Sequence, residues 1–194
     1  MSPKTKEQYE EIRQQSKATI MEAALELFAQ KGYASTSISD IARAANISKG
    51  LMYNYFKGKQ QLLTEIIAQA VEEIEGVMLS SIALTTQANE QLIAIVEGSF
   101  QLVDSHRHHW RLLSSLAFQP EIVKEMEGTF PKKYEGIIQL LVNILIQLGV
   151  EDAEKEAYLM GAALDGLLLQ YFFIGKEYPV EEMKALFIKR FCNY

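Results

Sequence analysis

The 194-residue chain has one cysteine, Cys192, so no disulfide can form within it, and this usage fits a reducing compartment. Long uninterrupted apolar runs are also missing. The longest apolar stretch, Tyr158 to Ile174, contains Asp165, Gly161, Gly166 and Gln170, and a membrane span needs about 20 mostly apolar residues. Met1 to Gln15 is polar and charged, which excludes a signal peptide as the reading of that segment. None of the patterns G-x-S-x-G, H-E-x-x-H or G-x-G-x-x-G occurs. Gly58-Lys59 lacks the upstream glycine and following hydroxyl of a phosphate loop, and Cys192 has no activating base nearby. Alternating strand patterns, repeats and low-complexity tracts are absent as well. These absences leave an all-α, cytoplasmic protein that is not an enzyme, carries no cofactor and enters no membrane.

Positive charge is scarce overall. The net charge of −6 argues by itself against a nucleic-acid partner. Its distribution argues the other way: residues 1–60 hold nine Lys or Arg against six Asp or Glu, and residues 61–194 hold ten against nineteen. The modest basic excess coincides with the most patterned stretch of the chain.

That stretch is Thr36 to Tyr55. Ile38, Ile41, Ala42 and Ala45 fall at i, i+3, i+4 and i+7, one face of a helix. Ser37 and Asp40 have the spacing of a capping box at its start. Asn46 breaks the pattern and Ile47 puts an apolar side chain into the break. Ser48 then caps a shorter helix through Tyr55, with Met52 and Phe56 facing inward. Two short helices with a shared apolar underside make a helix-turn-helix. The outer face of the second offers Lys49, Gly50, Leu51, Tyr53, Asn54 and Tyr55 to a phosphate backbone or base edge.

The run from Lys17 to Ile67 resembles the DNA-binding domain of the TetR/AcrR family of transcriptional regulators. The matching residues are Ala23, Ala24, Leu27, Phe28, Gly32, Tyr33, Thr36, Ile38, Ile41, Ala42, Ala45, Ile47, Ser48, Lys49, Gly50, Met52, Tyr53, Phe56, Lys59 and Leu62. Met52 replaces the usual Leu, Asn54 the usual His or Tyr, and Gln61 the usual Glu. The first swap conserves volume, the second bears on which operator is read, and the third bears on a helix cap. The resemblance implies a homodimeric regulator, a repressor in its commonest form, that binds a near-palindromic double-stranded operator and is released by a small effector. Lys49, Gly50, Leu51 and Asn54 are the expected base readers. Thr36, Tyr53, Tyr55 and Lys59 are the expected phosphate contacts, with Ser48 at the helix start. An ordinary capping role for Thr36 is an equal alternative.

About nine helices are expected. The N-terminal three, over residues 1–60, form the DNA-binding domain, and residues 61–194 form a helical ligand-binding and dimerisation domain. Met1 to Glu11 reads as a polar arm and Ile12 to Gln30 as the first helix, ended by Lys31-Gly32. Helix four runs from about Lys59 to Ser80 and carries the boundary. Ser105 to His109 reads as a break. Pro120 opens a seventh helix, interrupted at Gly128 to Pro131 and continued to Leu148.

The family resemblance implies a cavity in the C-terminal part for a small, largely apolar ligand. Met78, Phe100, Trp110, Phe118, Met126, Tyr134 and Met160 are its candidate lining, each with core packing as its alternative. Asp165, costly to bury unpaired, could bond a ligand, a neighbouring helix or a partner subunit. Ala157, Gly161, Leu164, Leu168 and Phe172, with Phe187 and Phe191, are read as a two-fold dimer surface, since a helix apolar almost all round must be covered on all sides. His106, His108 and His109 with Asp104 complete no metal-ligand spacing. A helical protein that keeps the helix-turn-helix as scaffold, or a DNA binder without an effector, are the competing readings.

Overall fold

The computed structural model describes residues 5–127 and 130–193. They form ten α-helices: α1 (Lys6–Lys31), α2 (Ile38–Ala44), α3 (Lys49–Tyr55), α4 (Lys59–Ala83), α5 (Ala88–Ser105), α6 (Arg107–Leu116), α7 (Pro120–Met126), α8 (Phe130–Gln147), α9 (Ala153–Ile174) and α10 (Val180–Phe191). A single 3₁₀ turn, Gly175–Glu177, precedes α10. The expected seventh helix is two helices, α7 and α8, so the count is ten among the described residues rather than nine.

The chain divides into two compact units, Met1–Gln69 with Leu112–Met126, and Ala70–Arg111 with Glu127–Tyr194. The first crossing lies within α4, between Gln69 and Ala70. The first unit also takes in Leu112–Met126, because Leu112, Leu116 and Ile122 belong to its core.

In the first unit, α1 starts earlier than expected. The Thr5 hydroxyl oxygen accepts from the Gln8 amide at 3.2 Å, and the Gln8 side chain accepts from the Thr5 amide at 3.0 Å. This capping box extends the helix over the supposed arm, and residues 5–15 are exposed all round. Gly32, at φ +84°, ends α1 with its amide on the Phe28 carbonyl. At the start of α2, Asp40 and Ser37 form the expected reciprocal cap. Asn46, at φ +54°, turns the chain between α2 and α3, a conformation that asparagine tolerates better than most residues. The underside of both helices is buried as predicted: Ile41, Ala42, Ala45, Met52 and Phe56 pack with Ile20, Ala24, Leu25, Phe28, Leu62 and Leu63.

The second unit is built on α5, α8, α9, α10 and the C-terminal part of α4. Leu92, Ile95, Val96, Phe100, Ile138, Leu141, Leu145, Ala157, Met160 and Phe187 form its core. Gly98 allows α4 and α5 to approach closely: a Cβ there would lie 2.8 Å from Val77 Cγ1. Gln91 reaches back to satisfy the Ile82 and Thr85 carbonyls at the end of α4. Burial pushes the Cys192 thiol up to about 12, so it is an inert core side chain rather than a nucleophile.

Candidate nucleic-acid interface

The reading face is assembled by two helix caps and a turn. Ser48 Oγ accepts from the Leu51 amide at 3.1 Å and fixes the start of α3. Met52 on one side of α3 is fully buried. The other side therefore projects Lys49, Gly50, Leu51, Tyr53 and Asn54 into solvent, with Tyr53 50% and Leu51 40% exposed. The set combines a cation, an amide, a phenol and an aliphatic group. It can bond to phosphate oxygens and base edges and can touch a thymine methyl. Tyr55 is only half-exposed and packs against the core beneath α3.

Two of the expected phosphate contacts have other work in this structure. Thr36 is 2% exposed. Its hydroxyl donates to the carbonyls of Gly32 at 2.9 Å and Leu27 at 3.2 Å, so it ties the α1–α2 corner and offers nothing to a phosphate. Lys59 turns inward. Its Nζ donates to the carbonyls of Tyr33 at 2.6 Å, Thr36 at 3.0 Å and Ala34 at 3.3 Å. The exposed loop around Ser37 and the outer face of α2 instead present Arg43, 78% exposed and 3.0 Å from Asp40. Sequence reasoning passed over Arg43 because it lies off the apolar stripe that defines the motif. The Ser37 hydroxyl, backed by the Ser37 amide, holds the Asp40 carboxyl below its usual range.

In the second unit, the candidate lining separates. Met78, Phe100 and Met160 are core residues, and Tyr134 packs partly buried against them. Trp110 is buried. Phe118 is not part of this set: it is 67% exposed and belongs to the first unit. The Met126 side chain lies outside the described residues. Asp165 keeps solvent-exposed surface on α9, yet burial by its surroundings raises its carboxyl above the ordinary range. Its charge adds to the burial that raises the Tyr134 phenol, whose oxygen lies 3.2 Å from where a Cβ on Gly161 would be.

The expected break at Ser105 to His109 is confined to His106, because α6 already begins at Arg107. His106 meets Ser105 Oγ at 3.0 Å, His108 lies 3.4 Å from Arg111, and the His109 ring stands edge-on to Trp110. Asp104 accepts from the Tyr171 hydroxyl at 2.6 Å. Among the described residues, no three His, Cys, Asp or Glu side chains converge in a metal-ligand group.

The expected dimer stripe faces inward. Ala157 and Phe187 are core residues, 0% and 3% exposed. Leu164, Leu168 and Phe191 pack partly buried against the same core, Phe172 is half-buried, and Gly161 accommodates Tyr134. Of the small residues on this stripe, Ala157 lies in the core and Gly161 faces Tyr134 and Ile138 of α8. The opposite side of α9 carries Leu159, Ala162, Gly166, Leu169 and Phe173 at heptad spacing, with Leu159 56% and Phe173 72% exposed. Ile174 on α9, Leu186 on α10 and Ile146 on α8 are exposed as well. Ala153–Glu177 is long and apolar enough to cross a membrane by length and composition, and 17% of its most apolar window is buried within the protomer.

Comparison with known proteins agrees with the helix-turn-helix. Residues 20–66 match the sequence pattern of the tetR family of bacterial regulatory proteins. The chain is 44% identical over 66 residues to the HTH-type transcriptional regulator AcrR of Shigella flexneri, covering 34% of this chain and 29% of that protein. It is 25% identical over 170 residues to the HTH-type transcriptional regulator BetI of Rhizobium meliloti, covering 86% and 83%. The fold matches the crystal structure of the transcriptional regulator FadR from Bacillus subtilis in complex with stearoyl-CoA, with a TM-score of 0.74 and 21% identity over 91% of this chain and 97% of that one.

Proposed function

Given that the chain belongs to the tetR family of regulatory proteins, we propose that it is a cytoplasmic homodimeric repressor that binds a near-palindromic operator and is released by a small, largely apolar ligand. The observation that carries this reading is the two-sidedness of α3. Met52 and Phe56 lock one side into the core, and Lys49, Leu51, Tyr53 and Asn54 stand free on the other. Each subunit places α3 in a major groove, and the two subunits meet half-sites about one helical turn apart. Lys49, Gly50, Leu51 and Asn54 read bases. Tyr53, aided by Tyr55, contacts phosphate.

The partner surface is the outward stripe of α9 from Leu159 to Phe173, extended by Leu186 of α10. A second copy covers it more economically than a bilayer does, because the stripe is flanked by Tyr158, Asp165 and Gln170. For the effector, the FadR structure with stearoyl-CoA and the apolar residues around Phe100 support an acyl chain as the class. α4 is one uninterrupted helix from Lys59 to Ala83, so a ligand near Met78 acts on the helix that begins beside the reading head. A coupling of about 1–3 kcal/mol changes operator affinity about 5–150-fold.

Fluorescence anisotropy on a duplex selected by the protein from a random library tests the reading. Binding that weakens steeply with salt supports it, and failure to enrich any duplex ends it. A second reading, a DNA binder without an effector, draws on the burial of Met78, Phe100 and Met160, which leaves those side chains in contact with protein. Trp110 is the only tryptophan. Saturable change of its emission on adding stearoyl-CoA favours the first reading, and no change together with unaltered operator binding favours the second.

A further inference from the structure

We infer that Gln119 is a positioning residue for the reading helix, acting through the corner between α1 and α2. The inference rests on the DNA-binding reading above. Gln119 lies between α6 and α7, 86 residues beyond the corner that it holds. Its main chain is fixed on both sides: its amide donates to the Leu116 carbonyl at 3.0 Å, and its carbonyl accepts from the Ile122 and Val123 amides at 3.0 and 3.1 Å. Pro120 follows at once and restricts the backbone further.

From this fixed base, the side-chain amide spans Gly32. Its Oε1 accepts from the Tyr33 amide at 2.8 Å, and its Nε2 donates to the Phe28 carbonyl at 2.9 Å. One amide thus joins the Phe28 carbonyl in the last turn of α1, which also accepts from the Gly32 amide, to the second amide beyond the helix. The assignment of oxygen and nitrogen follows from the partners, since an N–H needs an acceptor and a carbonyl needs a donor. Gly32, at φ +84°, is the conformationally unusual residue of this corner, and the amide holds Phe28, four residues before it, and Tyr33, the next residue after it, in register.

The corner matters because of what it leads to. Residues 33–36 run directly to Ser37, the cap of α2. Thr36, through the Leu27 carbonyl, and Lys59 tie these residues to α1 and α4, and Gln119 adds the tie from the α6–α7 connection. α2 and α3 share one buried underside, so a shift of the corner carries α3 with it. Base readout needs side chains held to about half an ångström, whereas attraction to phosphates falls off slowly with distance. Loosening the corner therefore costs discrimination among sequences more than it costs general affinity.

The test uses a duplex that the wild type selects from a random library, and a random-sequence duplex of equal length. Gln119→Met keeps the side chain's length and removes both hydrogen bonds. Its selected-to-random affinity ratio is expected to fall at least fivefold, with helix content by circular dichroism unchanged. Gln119→Glu keeps an acceptor for the Tyr33 amide and loses the donor to Phe28, so its ratio is expected between the two. A purely structural role lowers the folded fraction, scales both affinities together and leaves the ratio unchanged; that result overturns the inference. If Gln119→Met does not fold, Gln119→Glu decides, and an unchanged ratio again overturns it. A wild type that selects no duplex defeats the DNA-binding reading itself, a different outcome from a Gln119 variant that reads as well as the wild type.

Discussion

The ammonium of Lys59 sits 2.6 Å from the carbonyl oxygen of Tyr33 and 4.3 Å from the centre of that residue's ring. The Tyr33 ring in turn stands edge-on to Phe28 at 5.1 Å. A cation that would be an obvious candidate for a DNA phosphate is instead the strut of the corner that sets α2. Lys59→Met should lower the unfolding free energy by about 1–3 kcal/mol, the cost of leaving partly buried carbonyls without a charged donor. Chemical denaturation measures it. A variant as stable as the wild type, but weaker on DNA, would return Lys59 to the phosphate-binding role.

Tyr53 offers the opposite case. It is half-exposed on a helix whose inner face is locked, so its loss should not disturb folding. Tyr53→Ala should weaken binding to the selected duplex and to random duplex by a similar factor, about fivefold for one hydrogen bond of about 1 kcal/mol. Anisotropy titrations at one salt concentration read both. Unchanged binding would mean that this face of α3 does not meet DNA.

On α9, Phe173 is 72% exposed, while Ala157 on the other side is wholly buried. Phe173→Glu should therefore keep the fold and halve the mass measured by sedimentation at micromolar concentration. The same charge at Ala157 should unfold the second unit, because it buries an unpaired carboxylate. A dimer that survives Phe173→Glu would move the interface off this stripe.

Asp40 gives a pH signature. The Ser37 hydroxyl, then the Ser37 amide, depress its folded pKa below the ordinary 3.8. A depressed carboxylate contributes stability above the unfolded value, and that contribution disappears as pH falls through the folded one. The difference in melting temperature between wild type and Asp40→Asn should be constant near neutral pH and should close below about pH 3.8. A difference that persists undiminished in stronger acid would remove Asp40 from the cap.

The helix-turn-helix was legible because its signals are local. Ser37 with Asp40, Ser48, and the apolar spacing from Ile38 to Phe56 all act within one turn of the residues they organise. The inward turn of Lys59 was hidden for the converse reason: its acceptors lie 23 to 26 residues away and are backbone carbonyls, which no spacing rule reveals, whereas Thr36, read equally as a local cap and as a phosphate contact, bonds to carbonyls four and nine residues back. Gln119 escaped notice in the same way as Lys59. α9 shows a different limit. Its sequence says that two sides are apolar, but not which side meets its own chain. The small residues Ala157 and Gly161 were assigned to a partner, and Tyr134 of α8 is what fills the space beside Gly161. The extra turns of α1 were hidden by charge, since Glu7, Glu10 and Glu11 made a helix look like an arm although Thr5 and Gln8 could cap it.

The long overhang of α1 has its own consequence. From Ile20 onward the helix is bolted into the core, whereas residues 5–15 rest only on their cap and on contacts such as Gln14 with Glu10 at 2.7 Å. A few isolated turns are marginal in water, so one continuous helix holds two clocks. In deuterated solvent its first amides should exchange at nearly the rate of a free peptide, and those between Ala24 and Phe28 only when the whole unit opens.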